Sequence, residues 1–242
     1  MARLLRYLAL TLMIIWTVLL FMIFRLEVWQ DEREARRIAV NHAQALYQQI
    51  VDFRQWNADH GGVYVLVDED NPPNPFLTVP ERDVVSQDGS LLTLINPAYM
   101  TRQVSEISMR KRGAVIRITS LDPIRPANSP VPWEAEALRK FEQGRDLFVD
   151  ATTDGSGRTH FRFMRPLIVE EACLGCHGSP GAILGGIRGG ISVSFPLTSI
   201  IDEDASGRKF TQAVYFGIWV MGLVLIAGLM FAFQIETAKV KE

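Results

Sequence analysis

The chain has little cysteine and no strong imbalance of charge. Its 242 residues include only two cysteines, and 25 Lys and Arg residues oppose 27 Asp and Glu residues. One close pair of cysteines cannot build a disulfide scaffold. The basic residues are interspersed with acidic ones rather than gathered in a block, so the sequence gives no support for binding to nucleic acid.

Charge is also missing from two long runs. Residues 7–24 and 210–235 contain no charged side chain over 18 and 26 positions. A helix needs roughly 20 apolar residues to cross a bilayer, a length that the first run reaches if Arg3 and Arg6 snorkel. A cleaved signal peptide is the alternative for the first run. The apolar part of a signal peptide is usually about 7–15 residues long, shorter than this run, and no A-x-A-like cleavage site follows the run. We therefore predict two transmembrane helices.

Residues 25–60 follow the first run and predict an amphipathic helix that continues it. Apolar residues and one histidine recur at steps of three and four, at Ile38, His42, Leu46, Ile50 and Phe53. This spacing places them on one helical face. The Gly61-Gly62 pair ends the pattern. The face is expected either to pack on the following domain or to pair with a second copy of the chain.

The region between the two runs predicts an α+β domain. Strand-like segments rich in β-branched and aromatic residues cover 63–69, 114–121, 146–152, 158–169 and 189–197, and helical patterns cover 97–112 and 133–144. The closing run of three strands indicates one antiparallel sheet with helices against it. Two proline-rich loops, "NPPNPFL" and "DPIRPANSPVP", separate the elements.

Both cysteines belong to one short motif, CLGCH, formed by Cys173, Cys176 and His177. C-x-x-C-H attaches a c-type haem, because two thiols add across the haem vinyl groups and the adjacent imidazole binds the iron. A redox dithiol favours a βαβ context that is missing here, and a zinc site needs four ligands. Chance is the remaining alternative, and the motif favours haem over all three.

A haem attached at this motif also orients the chain. Arginines flank both sides of the first run, so positive charge alone does not decide the orientation. Haem is attached to c-type cytochromes outside the cytoplasm, which places both termini in the cytoplasm. We therefore expect a two-pass protein of a bacterial cytoplasmic (inner) membrane, with its haem domain in the periplasm. Residues 1–24 are predicted to contain the first span, and residues 25–60 the amphipathic helix that follows it. The periplasmic haem domain is predicted at 61–205, the second span at 210–235 and a short cytoplasmic tail at 236–242.

A wider set of motifs accompanies CLGCH over roughly residues 35–200. They include "FRQWNADHGGVYV", "INPAYMTRQVSE" and "RPLIVEEACLGCHG". With them the chain resembles the c-type-haem-binding, PAS-like periplasmic domains of bacterial sensor kinases, chemoreceptors and free-standing proteins. The resemblance implies a PAS-like antiparallel sheet with flanking helices and one covalent haem c. It implies that Cys173 and Cys176 form the thioether bonds and that His177 is the proximal iron ligand.

The resemblance does not specify the sixth iron ligand. Some members resemble a His/Cys-ligated cytochrome, but this chain has no third cysteine. Met100, in the "NPAYMTR" motif, is the candidate we favour, with His160 as the alternative; an open site is a further possibility. Arg102, Arg117 and Arg162 are candidates for pairing with the haem propionates, although solvation at the surface is the commoner role of such residues.

Two functions fit a membrane-bound haem c domain. The first is electron transfer, in which the protein serves a redox partner protein or a larger membrane redox complex. Only "ETAKVKE" follows the second run, with no kinase or methyl-accepting region, and this favours electron transfer. The alternative is a redox or gas sensor that signals through a partner. We expect no enzyme activity, because no acid–base constellation lies near CLGCH. Membrane lipid and a second copy of the chain are the other expected partners.

Overall fold

The computed structural model describes residues 2–169, 183–199 and 205–239. These residues form two compact units. The first comprises Met1–Arg37 and Asp202–Glu242, and the second is Ile38–Ile201. Helix α1, Ala2–Asp59, contributes to both units, since the first apolar run and the amphipathic segment form one continuous helix.

The first unit pairs the start of α1 with α4, Ala205–Lys239. Two tryptophans join the helices reciprocally. Trp16 Nε1 donates to the carbonyl oxygen of Trp219 at 3.3 Å, and Trp219 Nε1 donates to Thr17 Oγ1 at 3.0 Å. The two helices are thus joined by polar contacts, while most of their apolar side chains are exposed.

Both helices of the first unit are long and apolar enough to cross a membrane. The hydropathy criterion is met within Arg6–Asp59, which includes the first apolar run, and within Phe210–Glu236. Length and composition support this statement, and both helices lie where the sequence predicts spans.

The second unit contains a four-stranded antiparallel sheet in the order β4-β7-β6-β5. Its strands are β4 (Val115–Thr119), β5 (Phe148–Thr153), β6 (Thr159–Ile168) and β7 (Ile187–Pro196). One face carries buried apolar residues such as Ile116, Phe163 and Val193, which pack against α1. The alternation of side chains along the strands places these residues together on one face.

The contact between α1 and the sheet differs in part from the predicted face. Leu46 and Ile50 are buried as expected, but Ile38 is 40% and Phe53 is 53% exposed. Ala39 and Ala43 are fully buried instead. Alanine has no bulky side chain, so it allows the helix to lie close to the sheet. Of the two alternatives for the amphipathic helix, the structure shows that it packs on its own domain.

A second, smaller sheet holds the remaining strands, so the strands divide into two sheets rather than one. It consists of β1 (Val63–Leu66), β2 (Asp83–Val85) and β3 (Leu91–Ile95), in the antiparallel order β1-β3-β2. After β3 the Asn96 side chain accepts a hydrogen bond from the Tyr99 amide at 2.9 Å. This cap starts α2 immediately, and the chain enters the larger sheet only after that helix.

Two helices complete the α+β fold. Helix α2, Pro97–Arg112, ends at Gly113, whose φ of 68° is the left-handed conformation typical of a helix end. Helix α3, Pro132–Glu142, packs Leu138 and Phe141 with Met164 in a second apolar cluster. The predicted class, antiparallel sheet with flanking helices, is confirmed.

Candidate functional site

The second unit contains a cavity of about 310 Å³ at the edge of the four-stranded sheet. Its walls come from α2, from β4 with the loop that follows it, and from the ends of β6 and β7. Ligand pockets begin at about 300 Å³, so this space is large enough to bind a small molecule or part of a cofactor. Tyr99, Ile118, Leu167 and Val169 supply apolar surface.

Part of the cavity lining comes from described residues that flank the CLGCH segment in sequence. Cys173, Cys176 and His177 lie outside the described residues. The described chain on both sides of them reaches the cavity, since Val169 and Gly189 line its wall. The Val169 amide donates a hydrogen bond to the Gly186 carbonyl oxygen at 2.9 Å, which joins the described chain before this segment to the described chain after it.

Five of the described residues that line the cavity are arginines and two are carboxylates. The arginines are Arg54, Arg102, Arg117, Arg125 and Arg188, and the carboxylates are Glu106 and Asp122. The described wall therefore carries an excess of three positive charges, the difference between five and two. A half-enclosed cationic surface attracts anionic groups more strongly than an open one, because low-dielectric walls concentrate the field.

Three of the five arginines are held by neighbouring protein groups. The Arg117 guanidinium lies 3.3 Å from the Glu134 carboxylate and donates to the Ser129 carbonyl at 2.8 Å. Arg188 lies 4.0 Å from Asp122, and Arg54 donates to the Pro97 carbonyl at 3.1 Å.

The other two arginines have weaker counterparts. The Arg102 guanidinium lies over the Tyr99 ring at 4.1 Å, and Arg125 donates to Asn128 Oδ1 at 3.4 Å. Within the described part of the chain no carboxylate forms an ion pair with either side chain. Burial and the nearby Arg102 cation lower the pKa of Arg125, while Glu106 raises it. The pair thus brings two positive charges into one wall.

A fully buried carboxylate supports the wall from behind. Glu134 is 0% exposed, accepts a hydrogen bond from the Ser192 hydroxyl at 2.6 Å and accepts another from the Val131 amide at 3.0 Å. Its ion pair with Arg117 connects it to the cavity. Glu134 was not predicted from the sequence, although a Glu just inside a helix that begins at Pro132 is a recognisable capping signal.

Buried polar groups remain beside the cavity. Thr119 lines it and is 0% exposed, yet its hydroxyl oxygen has no hydrogen-bond partner among the described residues. Unsatisfied buried polar groups are uncommon and often mark a place where another group binds. The wall therefore has both charge and hydrogen-bonding capacity available for a ligand.

The structure separates the other predicted site residues. Met100 is half-buried on α2 and is absent from the described lining, although its neighbours Tyr99 and Thr101 belong to it. His160 lies near the start of β6, with a ring nitrogen 3.1 Å from the Asp154 carboxylate. Eight residues lie between it and Val169, so the nine steps along the extended chain cover about 30 Å. Both remain predictions for the sixth ligand.

Of the three arginines predicted to pair with the haem propionates, two line the cavity and one does not. Arg102 and Arg117 line the cavity, but Arg162 does not; it lies 3.9 Å from Asp150 and 5.5 Å from the Trp133 ring. Arg54, Arg125 and Arg188 also line the cavity but were not predicted from the sequence.

The chain was compared with known proteins. A family model described as Tll0287-like matches residues 32–196. A solved structure described as the crystal structure of the cyanobacterial heme-protein Tll0287 is 18% identical, with a TM-score of 0.41, over 65% of this chain and 94% of that one. The comparison with curated proteins found no match.

Proposed function

Because this chain belongs to the Tll0287-like family, we propose that it is a membrane-anchored periplasmic cytochrome with one covalent haem c, acting in electron transfer. The observation that carries the proposal is the cationic cavity, whose described lining includes Val169 and Gly189 from the chain on either side of the CLGCH segment. Haem combines a flat apolar ring with two propionate carboxylates. A wall with both apolar surface and arginines fits those two chemical characters, and the unpartnered Thr119 hydroxyl leaves a polar group for the ligand.

Chain connectivity supports placing the haem at this cavity. Cys173 follows Val169, a lining residue, by four positions. Four residues extend over about 14 Å at most. Cys173 and Cys176 would each add a thiol across one haem vinyl group, which forms a carbon–sulfur bond and places the thiol hydrogen on the other vinyl carbon. His177 would bind the iron, and the bound haem would supply one-electron chemistry.

Met100 is the sixth ligand that we propose, with His160 as the alternative. Neither side chain is part of the described lining; Met100 stays our first candidate because α2 itself forms part of the wall, whereas His160 lies near the far end of β6. In Met100→Ala, the long-wavelength absorption band of methionine-ligated ferric haem should disappear, while His160→Ala should keep it. If the band is present in the wild-type protein and persists in Met100→Ala, Met100 is not the ligand.

The membrane location follows from the same proposal. Two helices are long and apolar enough to cross a membrane, and haem c is attached outside the cytoplasm. We therefore place the protein in a bacterial inner membrane as a two-pass protein, with the haem domain in the periplasm. A reporter that is active only in the cytoplasm should be active when fused after Glu242. Activity there of a reporter that works only in the periplasm would contradict this topology.

Rapid-mixing experiments on the full chain in detergent test electron transfer. The dithionite-reduced protein, freed of excess reductant, is mixed with an oxidised soluble cytochrome c, and its absorbance is followed. We expect six-coordinate haem that is reoxidised rapidly and does not bind CO. Slow exchange together with five-coordinate haem that binds CO or NO would contradict electron transfer and support a haem-based sensor.

A further inference from the structure

Two arginines from separate segments line the same cavity. Arg102 lies on α2, and Arg125 lies just before the short 3-10 helix Pro126–Asn128. Both side chains are half-buried. Burial and then the Arg102 cation lower the pKa of Arg125, the direction expected where a like charge lies nearby.

Such a pair is unfavourable without an anion. Like charges in a partly buried site repel more strongly than in water, because the effective dielectric constant is lower. In the described residues Arg117 and Arg188 each lie within 4.0 Å of a carboxylate, and Arg54 donates to a backbone carbonyl. Arg102 instead lies on an aromatic ring, and Arg125 donates to one amide oxygen at 3.4 Å. Glu106 raises the pKa of Arg125 but forms no ion pair with it within 4 Å in the described chain.

We propose that Arg102 and Arg125 bind the propionate carboxylates of the haem and thereby raise its reduction potential. The inference rests on the proposed haem c function and assigns to this pair a role that Arg117 and Arg162 do not share. Arg117 is neutralised by the buried Glu134, and Arg162 lies outside the cavity lining near Asp150.

The expected effect follows from charge. Two cations beside the haem disfavour the ferric state, which carries one more positive charge than the ferrous state. They also keep the propionates ionised, since an opposite charge lowers the pKa of a carboxyl group. Removal of the cations should therefore lower the potential. It should also raise the propionate pKa, so that the potential starts to fall as pH rises through the neutral range.

Redox titration of the full-length holoprotein tests the pair. The variants are Arg102→Gln, Arg125→Gln and their double, with Arg162→Gln as the matched control and Arg102→Lys/Arg125→Lys as the variant that keeps the charge. We expect the double Gln variant to shift the ratio of reduced to oxidised haem at least tenfold toward the oxidised form, which is about 59 mV for one electron. The control and the Lys variant should stay near the wild-type potential.

Haem content separates the possible failures. A wild-type protein without covalent haem would overturn the proposed function itself. Haem-loaded Gln variants with the potential and pH dependence of Arg162→Gln would overturn the arginine assignment and leave the function standing. Loss of haem in the double Gln variant alone would support the assignment, whereas equal loss in the Lys variant would contradict a role of charge.

The source of the anion is tested with inorganic phosphate. If the propionates occupy the site, added phosphate should leave the wild-type potential unchanged at constant ionic strength. If phosphate lowers the wild-type potential to that of the double Gln variant, a free anion occupies the site and the propionate assignment is wrong.

Discussion

The sheet face under α1 and the cavity at the edge of β4 are built from opposite kinds of side chain. The face under α1 is apolar, with Phe163, Ile191 and Val193 at 0% exposure. The cavity wall instead contains five arginines among its described residues. The difference indicates a division of roles: the apolar face stabilises the fold, and the cavity stores unbalanced charge that an anionic ligand can neutralise.

Glu134 lies where the two kinds of structure meet. It is buried as completely as the apolar core, yet its partner Arg117 lines the cavity. A buried ion pair is costly to form and still costlier to break, because one partner alone leaves a charge without compensation. Substitutions in the apolar face, at Glu134 and in the cavity wall should therefore lower stability for different reasons.

The largest loss of stability is expected in the apolar face. Phe163→Ala should lower the free energy of unfolding by about 3–5 kcal/mol, because it removes a fully buried ring and leaves a cavity. Phe53→Ala is the control, since this phenylalanine is 53% exposed and its loss should cost about 0.5 kcal/mol or less. Denaturant titration of the full chain in detergent measures both, and similar losses would contradict the assigned core.

Glu134→Gln should have the next largest effect. It leaves the Arg117 guanidinium, which is 35% exposed, without its carboxylate and weakens the hydrogen bonds that the charged group accepts, so we expect a loss of about 1.5–3 kcal/mol in unfolding free energy. The double variant with Arg117→Gln should recover part of that loss, because it removes the stranded charge. A double-mutant cycle measures the recovery, and additive losses would show that the two groups do not interact.

Gly189→Ala should test how tightly β4 and β7 meet beside the cavity. A Cβ at this position would collide with the carbonyl oxygen of Thr119 in β4. Overpacking of this kind costs about 1–3 kcal/mol in unfolding free energy. Gly155→Ala is the control, because nothing lies within 4 Å of its Cβ position. Equal stabilities for the two variants would contradict the close approach of the strands.

The smallest effect on stability is expected in the three-stranded sheet, which is part of neither the apolar face under α1 nor the four-stranded sheet beside the cavity. Hydrogen bonds from Arg82 and then from Thr93 lower the pKa of Asp83. In the unfolded chain the Asp83 carboxyl has its ordinary, higher pKa and binds a proton more readily. The stability that ionised Asp83 contributes to the fold is therefore present above about pH 4 and is lost as pH falls through the lowered pKa. Asp83→Asn should therefore be less acid-sensitive than the wild type in unfolding titrations between pH 5 and pH 2. Unchanged acid sensitivity would contradict the role of Asp83.

Local patterns predicted the elements better than their packing. The period of α1 correctly indicated a helix with Leu46 and Ile50 buried. It missed Ala39 and Ala43, because alanine gives a weak hydrophobic signal even where it allows close packing. The division into two sheets was also missed, since it depends on strand pairing between segments that are distant in sequence.

The same limit applies to the candidate site. CLGCH is a local motif, so the sequence predicts haem attachment from five residues. The cationic wall is assembled from α1, α2, β4, the following loop and β7, and no short segment contains more than a fraction of it. Arg125 and Glu134 therefore acquire their meaning only from the fold.

Mass spectrometry of the covalent haem tests the central claim most directly. The full chain is produced in a bacterium with a cytochrome c maturation system and digested with trypsin. The peptide 163–188, which contains Cys173, Cys176 and His177, should carry the added mass of one haem. The Cys173→Ser/Cys176→Ser variant should yield the same peptide without it. A wild-type peptide recovered unmodified, from cells that mature another cytochrome c normally, would contradict the claim.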